Sequence, residues 1–458
     1  MHSLNERIDT VIQLQRDFFN SGLTLEYDFR MAQLERLEIM IKKNEKKICE
    51  ALFLDLHKSA NESFLTEIDM VLSEIRHVRK YLKYWMRPRP VAAQIATMPS
   101  RNRIVYEPYG IVLIIAPWNY PFQLLVNPLI GALAAGNTAI LKPSPLSAHM
   151  SELMAKLFGE YFPERHIALF EGHSDVNQAL LARKFDYIFF TGSVGFGKYV
   201  AMEAARQLTP VTLELGGKSP CIVGKEADCD LAARRIVWGK MLNAGQTCVA
   251  PDYLLVHESV KEKLIAEMKK YILEYFPSRE AYETGFPRII NREAAERLEK
   301  LMHSDGRISA GGETDPDNRF IALTIIEGVS WESPVMQEEI FGPLLPVLTF
   351  SRIEDAIASV RNHEKPLALY YFGDKKEART IAKHTSSGGM CVNDTIMHLA
   401  NRHLPFGGVG KSGYGRYHGF FSFQTFSNPK ALLISHPFID IKFRYFPYQM
   451  PQWLKRFI

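Results

Sequence analysis

The sequence predicts an α/β fold of two doubly wound parallel-sheet domains plus a small oligomerisation element, and three observations carry that prediction. Short, fully apolar runs recur, segments of helical period separate them, and 458 residues leave room for the alternation to happen twice. The runs GIVLIIAP, NTAILKPS, FDYIFFTGS and SPCIVGK hold apolar residues at consecutive positions, as parallel strands buried on both faces do. Between them, Ala148 to Tyr161 and Gly195 to Gln207 have helical character. Beyond Cys248 a second alternation opens with DYLLVHES, passes through a charged helix from Val260 to Tyr275, and continues in Pro343 to Phe350 and Ile353 to Arg361.

Ahead of the first strand, Phe29 to Glu50 repeats apolar residues every three or four positions among charges, the period of an amphipathic helix, and Glu67 to Trp85 repeats the pattern. The segment Arg87 to Arg103, with prolines at 88, 90 and 99, loses that period and reads as an extended excursion or intersubunit arm. The end of the chain, HPFIDIKFRYFPYQMPQWLKRFI, is aromatic and basic. In it Trp453, Phe457 and Ile458 beside Lys455 and Arg456 suit either a lipid interface or packing across a dimer, and dimer packing is the favoured reading.

Composition bounds the class. With 47% hydrophobic and 23% charged residues the chain is far from the signature of disorder, and 55 basic against 51 acidic residues give no argument for nucleic acid. Cys49, Cys221, Cys229, Cys248 and Cys391 lie far apart, without a CxxC pair or a disulfide-like ladder, which fits a reducing compartment and a cytoplasmic location. The N-terminal stretch carries charges every few residues and shows no secretory h-region, and GIVLIIAP falls well short of the roughly 18 uncharged residues that would span a bilayer.

Seven segments hold chemistry-bearing residues. Cys248 lies in NAGQTCVAPD; a free cysteine is more often a small buried hydrophobe, so its neighbours must decide. Glu214 lies in VTLELGGKSP between Leu213 and Leu215, where a carboxylate is costly to bury unless it is paired, neutralised or used, and where desolvation would raise its pKa toward that of a general base. Asn119 stands between two prolines in APWNYPF, at the carboxyl end of an apolar strand, where ligands gather in open sheets; it suits a turn or an oxyanion donor. Lys142 and Ser144 in LKPS follow the next strand, placed for a sugar or phosphate, although a surface lysine is the plainer reading. FTGSVGFGK runs from a strand into a helix and resembles a dinucleotide turn, but it is no clean GxGxxG and lacks the acidic residue about 20 positions on. Glu339 and Phe341 lie in QEEIFGP before a Gly-Pro turn. The stretch LPFGGVGKSGYGR is glycine-rich without Walker spacing, so close backbone packing is favoured over a phosphate loop.

In this order PWNYP, LKPS, FTGSxxxG, LELGGKSP, GQTC, EEIFGP and PFGGVGKSG resemble the aldehyde dehydrogenase superfamily, from about Arg103 to Ser427. The early position of Cys248, the NYPFQL wording and the closing GRYHGFFSFQTFSNPKA are most similar to class 3, the fatty and aromatic aldehyde branch. The resemblance implies NAD(P)-dependent oxidation of aldehydes to acids through a thiohemiacetal and a thioester on Cys248, with Glu214 as general base and Asn119 in the oxyanion hole. It puts Lys142 and Ser144 near the adenosine ribose, Gly192, Ser193 and Gly197 near the pyrophosphate, and Glu339 with Phe341 near the nicotinamide ribose; no metal is expected. It also implies a homodimer with an NAD(P)-binding domain at 1–86 and 104–214, a catalytic domain at 215–421, and an oligomerisation arm and tail at 87–103 and 422–458. One departure stands out. Many relatives follow LKPS with a glutamate that binds the ribose hydroxyls, whereas here Pro145 stands there, so NADP is expected to be accepted alongside NAD with Lys142 as counter-ion. The competing readings are a CoA-acylating or phosphate-dependent member of the same fold, against which Glu214 argues, and a membrane-associated relative without activity.

Overall fold

The computed structural model describes residues 3–94, 97–440, 445–448 and 452. The prediction for Trp453, Lys455, Arg456, Phe457 and Ile458 lies outside the described residues. The chain opens with helix Leu4–Asn20, started by a capping box in which Ser3 Oγ accepts from the Glu6 N–H at 3.3 Å while the Glu6 carboxylate accepts from the Ser3 N–H at 2.7 Å. Helix Tyr27–Leu56 follows; it buries Leu34, Leu37, Ile41, Ile48 and Leu52, the apolar stripe read in the sequence. Helix Asp69–Trp85 buries Val71, Ile75, Val78 and Leu82, but it starts two residues later than predicted because a π-turn, Phe64–Ile68, precedes it and contains Glu67.

Five parallel strands make the first sheet. From Ile111–Ile115 the chain steps outward to Thr138–Lys142 and Ile167–Leu169, then returns to the other side of the starting strand as Tyr187–Gly192 and ends with Val211–Leu215. That reversal between Ile111–Ile115 and Tyr187–Gly192 is the point at which the connecting helices leave on opposite faces and a crevice opens at the carboxyl ends of the strands. The second sheet runs in spatial order Arg307–Ala310, Thr324–Glu327, Leu344–Phe350, Tyr253–His257, Pro220–Val223, Ala368–Phe372 and Gly389–Val392, with only Arg307–Ala310 antiparallel. Both sheets are therefore the doubly wound type expected, each with one antiparallel strand added at an edge.

Two strand pairings cross the expected domain limits. Arg89–Val91, Ser100–Pro108 and Ser427–Ser435 form three antiparallel strands, and pairing with Ser427–Ser435 runs the whole length of Ser100–Pro108, so Ile104 to Pro108 belong here and not with the first sheet. Gly413–Tyr414, expected in the second α/β unit, pairs instead with the free edge of Val211–Leu215, Gly413 opposite Glu214. Glycine makes that approach possible. At Gly413 φ is +116°, and a Cβ there would collide with the Leu213 carbonyl oxygen. The glycine-rich stretch is thus backbone packing against the strand that carries Glu214.

Helix Gln123–Ala135 is buried along its whole length and is the pivot of the core; helix Phe420–Thr425 lies close enough that a Cβ at Gly131 would meet Ser422 and Phe426. Among the described residues no helix is long and apolar enough to cross a membrane, and no cluster of three or more His, Cys, Asp or Glu side chains is arranged for a metal. Gly413→Ala is expected to lower stability by about 1–3 kcal/mol, the range for a strained backbone position. Urea unfolding reads this directly, and an unchanged midpoint would show that the edge pairing tolerates a side chain.

Candidate active site

The loop after Ile111–Ile115 carries Asn119 into the crevice. Asn119 is buried; its Nδ2 donates to the Gln246 carbonyl at 3.0 Å, which uses one of the two amide hydrogens and leaves the other for a guest. Its own carbonyl accepts from Lys58 Nζ at 3.0 Å and from Asn243 Nδ2 at 2.8 Å. Next to it, the Tyr120 hydroxyl and Thr247 Oγ1 are 2.7 Å apart. The Asn119 loop and the segment ending in Cys248 are thereby tied together although 129 positions separate the two residues in sequence.

Cys248 follows helix Cys229–Met241 and a tight turn in which Asn243 and Ala244 take left-handed backbone angles, φ +50° and +52°. That turn is braced from several sides. Glu62 accepts the Asn243 N–H at 2.7 Å, Gln246 Nε2 donates to the Arg288 carbonyl at 3.0 Å, and Gln246 Oε1 accepts the Ile290 N–H at 2.9 Å. Cys248 is partly exposed, and its own N–H and that of Val249 favour the thiolate. Burial, and then the carboxylates of Glu339 and Glu214, push the thiol well above its ordinary pKa.

Glu214 is 3% exposed in strand Val211–Leu215, and neither carboxylate oxygen has a hydrogen-bond partner. Burial raises its pKa strongly, and the Arg416 guanidinium relieves this only in part. Glu214 is one of the carboxylates that raise the Cys248 thiol, so the fold brings the two within electrostatic reach although 34 positions separate them. Tyr417 is buried within the field of both.

Of the residues expected at the dinucleotide, Lys142 and Ser144 lie at and just past the carboxyl end of one first-sheet strand, and Gly192 and Ser193 at that of another. Gly192 ends its strand, and Ser193 caps helix Val194–Arg206 by accepting from the Phe196 N–H at 3.4 Å. Gly197 is buried against Leu215, so it serves close helix-to-strand packing. Lys142 is buried at the end of Thr138–Lys142 and turned inward, Nζ donating to the Pro143 carbonyl at 2.8 Å; burial lowers its pKa to about 8. Ser144 Oγ accepts from the Leu146 N–H at 3.3 Å. Glu339 is raised to about 8 by burial and by Asp252, eased by the Gly217 N–H, Lys218 and Lys240. Phe341, at φ +50°, meets Trp118 edge to face with centroids 5.3 Å apart. A cavity of about 460 Å³ between the sheets is bordered by Val194, Gly216, Lys218, Trp331, Glu339 and His363.

Sequence pattern gave no sign of Lys58, Glu62 or Glu67 at this site. Asn243, Gln246 and Thr247 stood beside Cys248 in the motif and were legible by proximity, whereas Lys58 and Glu67 reach the site only through the folded N-terminal helices. Lys240, buried near Glu339 with its pKa lowered to about 8, was equally hidden, since a lysine in a helix is ordinarily a surface residue.

Comparison with known proteins identifies the family. The aldehyde dehydrogenase family profile matches residues 3–432. The chain is 47% identical to the 4,4'-diaponeurosporen-aldehyde dehydrogenase of Staphylococcus aureus (strain NCTC 8325 / PS 47), covering 91% of each chain. It is 44% identical to the dimeric NADP-preferring aldehyde dehydrogenase of Rattus norvegicus, covering 93% of this chain and 94% of that one. The solved substrate-bound state of Staphylococcus aureus AldH superposes with a TM-score of 0.96 at 43% identity, covering 100% of both chains. The chain belongs to the aldehyde dehydrogenase family, enzymes that oxidise aldehydes to carboxylic acids with NAD or NADP as hydride acceptor.

Proposed function

We propose that Cys248 is the nucleophile, Asn119 the oxyanion donor and Glu214 the general base, and that the substrates are medium- to long-chain aliphatic or aromatic aldehydes. The observation that carries this reading is the convergence of a partly exposed thiol, an amide with one free N–H, and a buried carboxyl whose oxygens have no partner. Such a carboxyl is costly to keep, and taking a proton from the water that releases the acid gives it a use.

In this mechanism the Cys248 thiol releases its proton to solvent and its sulfur attacks the carbonyl carbon. The new oxyanion is held by the Asn119 amide and the Cys248 N–H, each such donor being worth about 3–4 kcal/mol. The donor set suits a pyridine dinucleotide: Ser193 at a helix start, Lys142 and Ser144 at and just past the end of the strand on the far side of Ile111–Ile115, and Glu339 at the cavity wall. When bound, NAD or NADP supplies the hydride acceptor that turns the thiohemiacetal into a thioester. Glu214 then takes a proton from water, whose oxygen attacks the thioester carbon; the carbon–sulfur bond breaks, the acid leaves and the sulfur regains a proton. Because water is the acyl acceptor, neither CoA nor phosphate is required.

The rings of Tyr120, Trp118, Phe341 and Tyr417 around this centre favour apolar aldehydes, and the Staphylococcus aureus relative is named for a long polyene aldehyde. Pro145, in place of a carboxylate that would repel a 2′-phosphate, supports use of NADP as well as NAD, and the rat relative is named NADP-preferring. That relative's name also includes dimeric, which supports a homodimer; the five free cysteines support a cytoplasmic location.

Cys248→Ser is expected to abolish NADH formation across a chain-length and aromatic aldehyde series. Glu214→Gln is expected to keep a hydride burst but to turn over at least tenfold more slowly, with no help from added CoA or phosphate. A fully active serine variant would refute the nucleophile, and strict dependence on CoA or phosphate would refute hydrolysis. Because both Cys248 and Glu214 hold their protons to higher pH than isolated groups do, kcat/KM should climb as the pH is raised from neutral; a flat profile would contradict the assignment. For the cofactors, kcat/KM for NADP should lie within a thousandfold of that for NAD, and a larger preference for NAD would exclude dual use.

A further inference from the structure

Behind the site lies an ion pair that the mechanism above does not use. Lys58 and Glu67 are both 0% exposed, with Nζ and Oε1 2.6 Å apart. Burying a pair this completely is costly, and full hydrogen bonding on both partners is what offsets the cost. Here every bond of the pair goes to the Asn119 loop. Lys58 Nζ donates to the Asn119 carbonyl at 3.0 Å and lies 3.9 Å from the centre of the Tyr120 ring. Glu67 Oε2 accepts the N–H groups of Phe122 and Gln123, each at 3.0 Å, at the start of the buried helix Gln123–Ala135. The π-turn Phe64–Ile68 brings Glu67 to this point, and π-turns inside helices are often found at functional sites.

The same small helical region also holds the cysteine loop. Glu62, in the helical turn Ala60–Ser63, accepts the N–H of Asn243, whose left-handed backbone would otherwise leave that donor without a partner, and Asn243 Nδ2 bonds both the Asn119 and the Gln246 carbonyls, at 2.8 and 3.1 Å. Residues 58–67 are therefore a clamp with one arm on each of the two loops that face the substrate carbonyl.

We propose that Lys58 and Glu67 are positioning residues for the oxyanion hole: they fix the peptide of Asn119 so that its side-chain amide meets the oxygen carried by the Cys248 adduct. The inference rests on the assignment of Asn119 as an oxyanion donor. The pair acts through Asn119 and touches no reacting atom. Misplacement of a donor by about 1 Å is enough to cost on the order of a hundredfold in rate.

The test is a double-mutant cycle. Lys58→Met is combined with Glu67→Gln so that no lone charge is buried, and the pair of changes is made in the wild-type and in the Asn119→Ala background. Single-turnover hydride formation with an aldehyde, cofactor affinity from fluorescence quenching, and the melting temperature are measured on each full-length protein. The expected result is a 10- to 100-fold loss in the wild-type background with cofactor Kd changed less than twofold, and less than a twofold further loss in the Asn119→Ala background. Equal loss in both backgrounds, or loss below threefold in the wild type, overturns the proposal. Wild-type rates for Asn119→Ala alone would instead overturn the assignment of Asn119, so the two failures are distinct. Should the double substitution prevent folding, Glu67→Gln alone keeps an acceptor for the two N–H groups and removes the charge opposite Lys58; a loss that disappears in the Asn119→Ala background supports the proposal, and one that persists overturns it.

Discussion

The carbonyl oxygen of Asn119 accepts two buried donors, the Lys58 ammonium and the Asn243 amide, and through it three distant parts of the chain become one site. The N-terminal helices, the first loop of the first sheet and the turn before the second strand of the second sheet have no local reason to meet. Each brings a buried polar group that would be costly if left unpaired, and each finds its partner only in the others. The geometry is held by groups with fixed directions in a low-dielectric setting, where hydrogen bonds polarise one another and an error in one is expressed in all.

Charge is distributed unevenly around this frame. Lys58 and Glu67 compensate each other within 2.6 Å, and the Lys218 ammonium is paired with Asp252 and with the Val335 and Glu338 carbonyls. Glu214 has no such partner. Its strand is locked by parallel pairing with Tyr187–Gly192 on one side and by Gly413–Tyr414 on the other, which holds a carboxyl in place where hydration would be more favourable. Glycines at 413 and 415, each packed against that strand's own atoms, let the locking chain come close enough.

Much of this architecture was legible in the sequence. Val112, Leu113 and Ile114 within an unbroken apolar run announced a strand buried on both faces, and helix Ala148–Tyr161 has the limits its period gave. Periodicity could not reveal that Gly413 pairs opposite Glu214, because two residues of edge strand carry no pattern, nor that Ser100–Pro108 needs nine residues to match Ser427–Ser435. At the site, Cys248, Glu214 and Asn119 were conspicuous as polar groups in apolar or turn-forming settings. Lys58 and Glu67 were not, since charged residues at helix ends are ordinarily solvated and only tertiary packing makes these two buried. Lys142 shows the opposite case: its place at the end of an apolar strand was legible, but its inward bond to the Pro143 carbonyl was not, because side-chain direction depends on the burial around it.

The central claim is that one cysteine carries the acyl group. The Glu214→Gln protein, mixed with NAD and a medium-chain aldehyde and then acid-quenched within the burst, can be digested and its peptides mapped by mass spectrometry. The account predicts an acyl group, the aldehyde less one hydrogen in place of the thiol hydrogen, on the peptide containing Cys248. Hydride formation without an acyl group on that peptide, or with the label on Cys49, Cys221, Cys229 or Cys391, would contradict it.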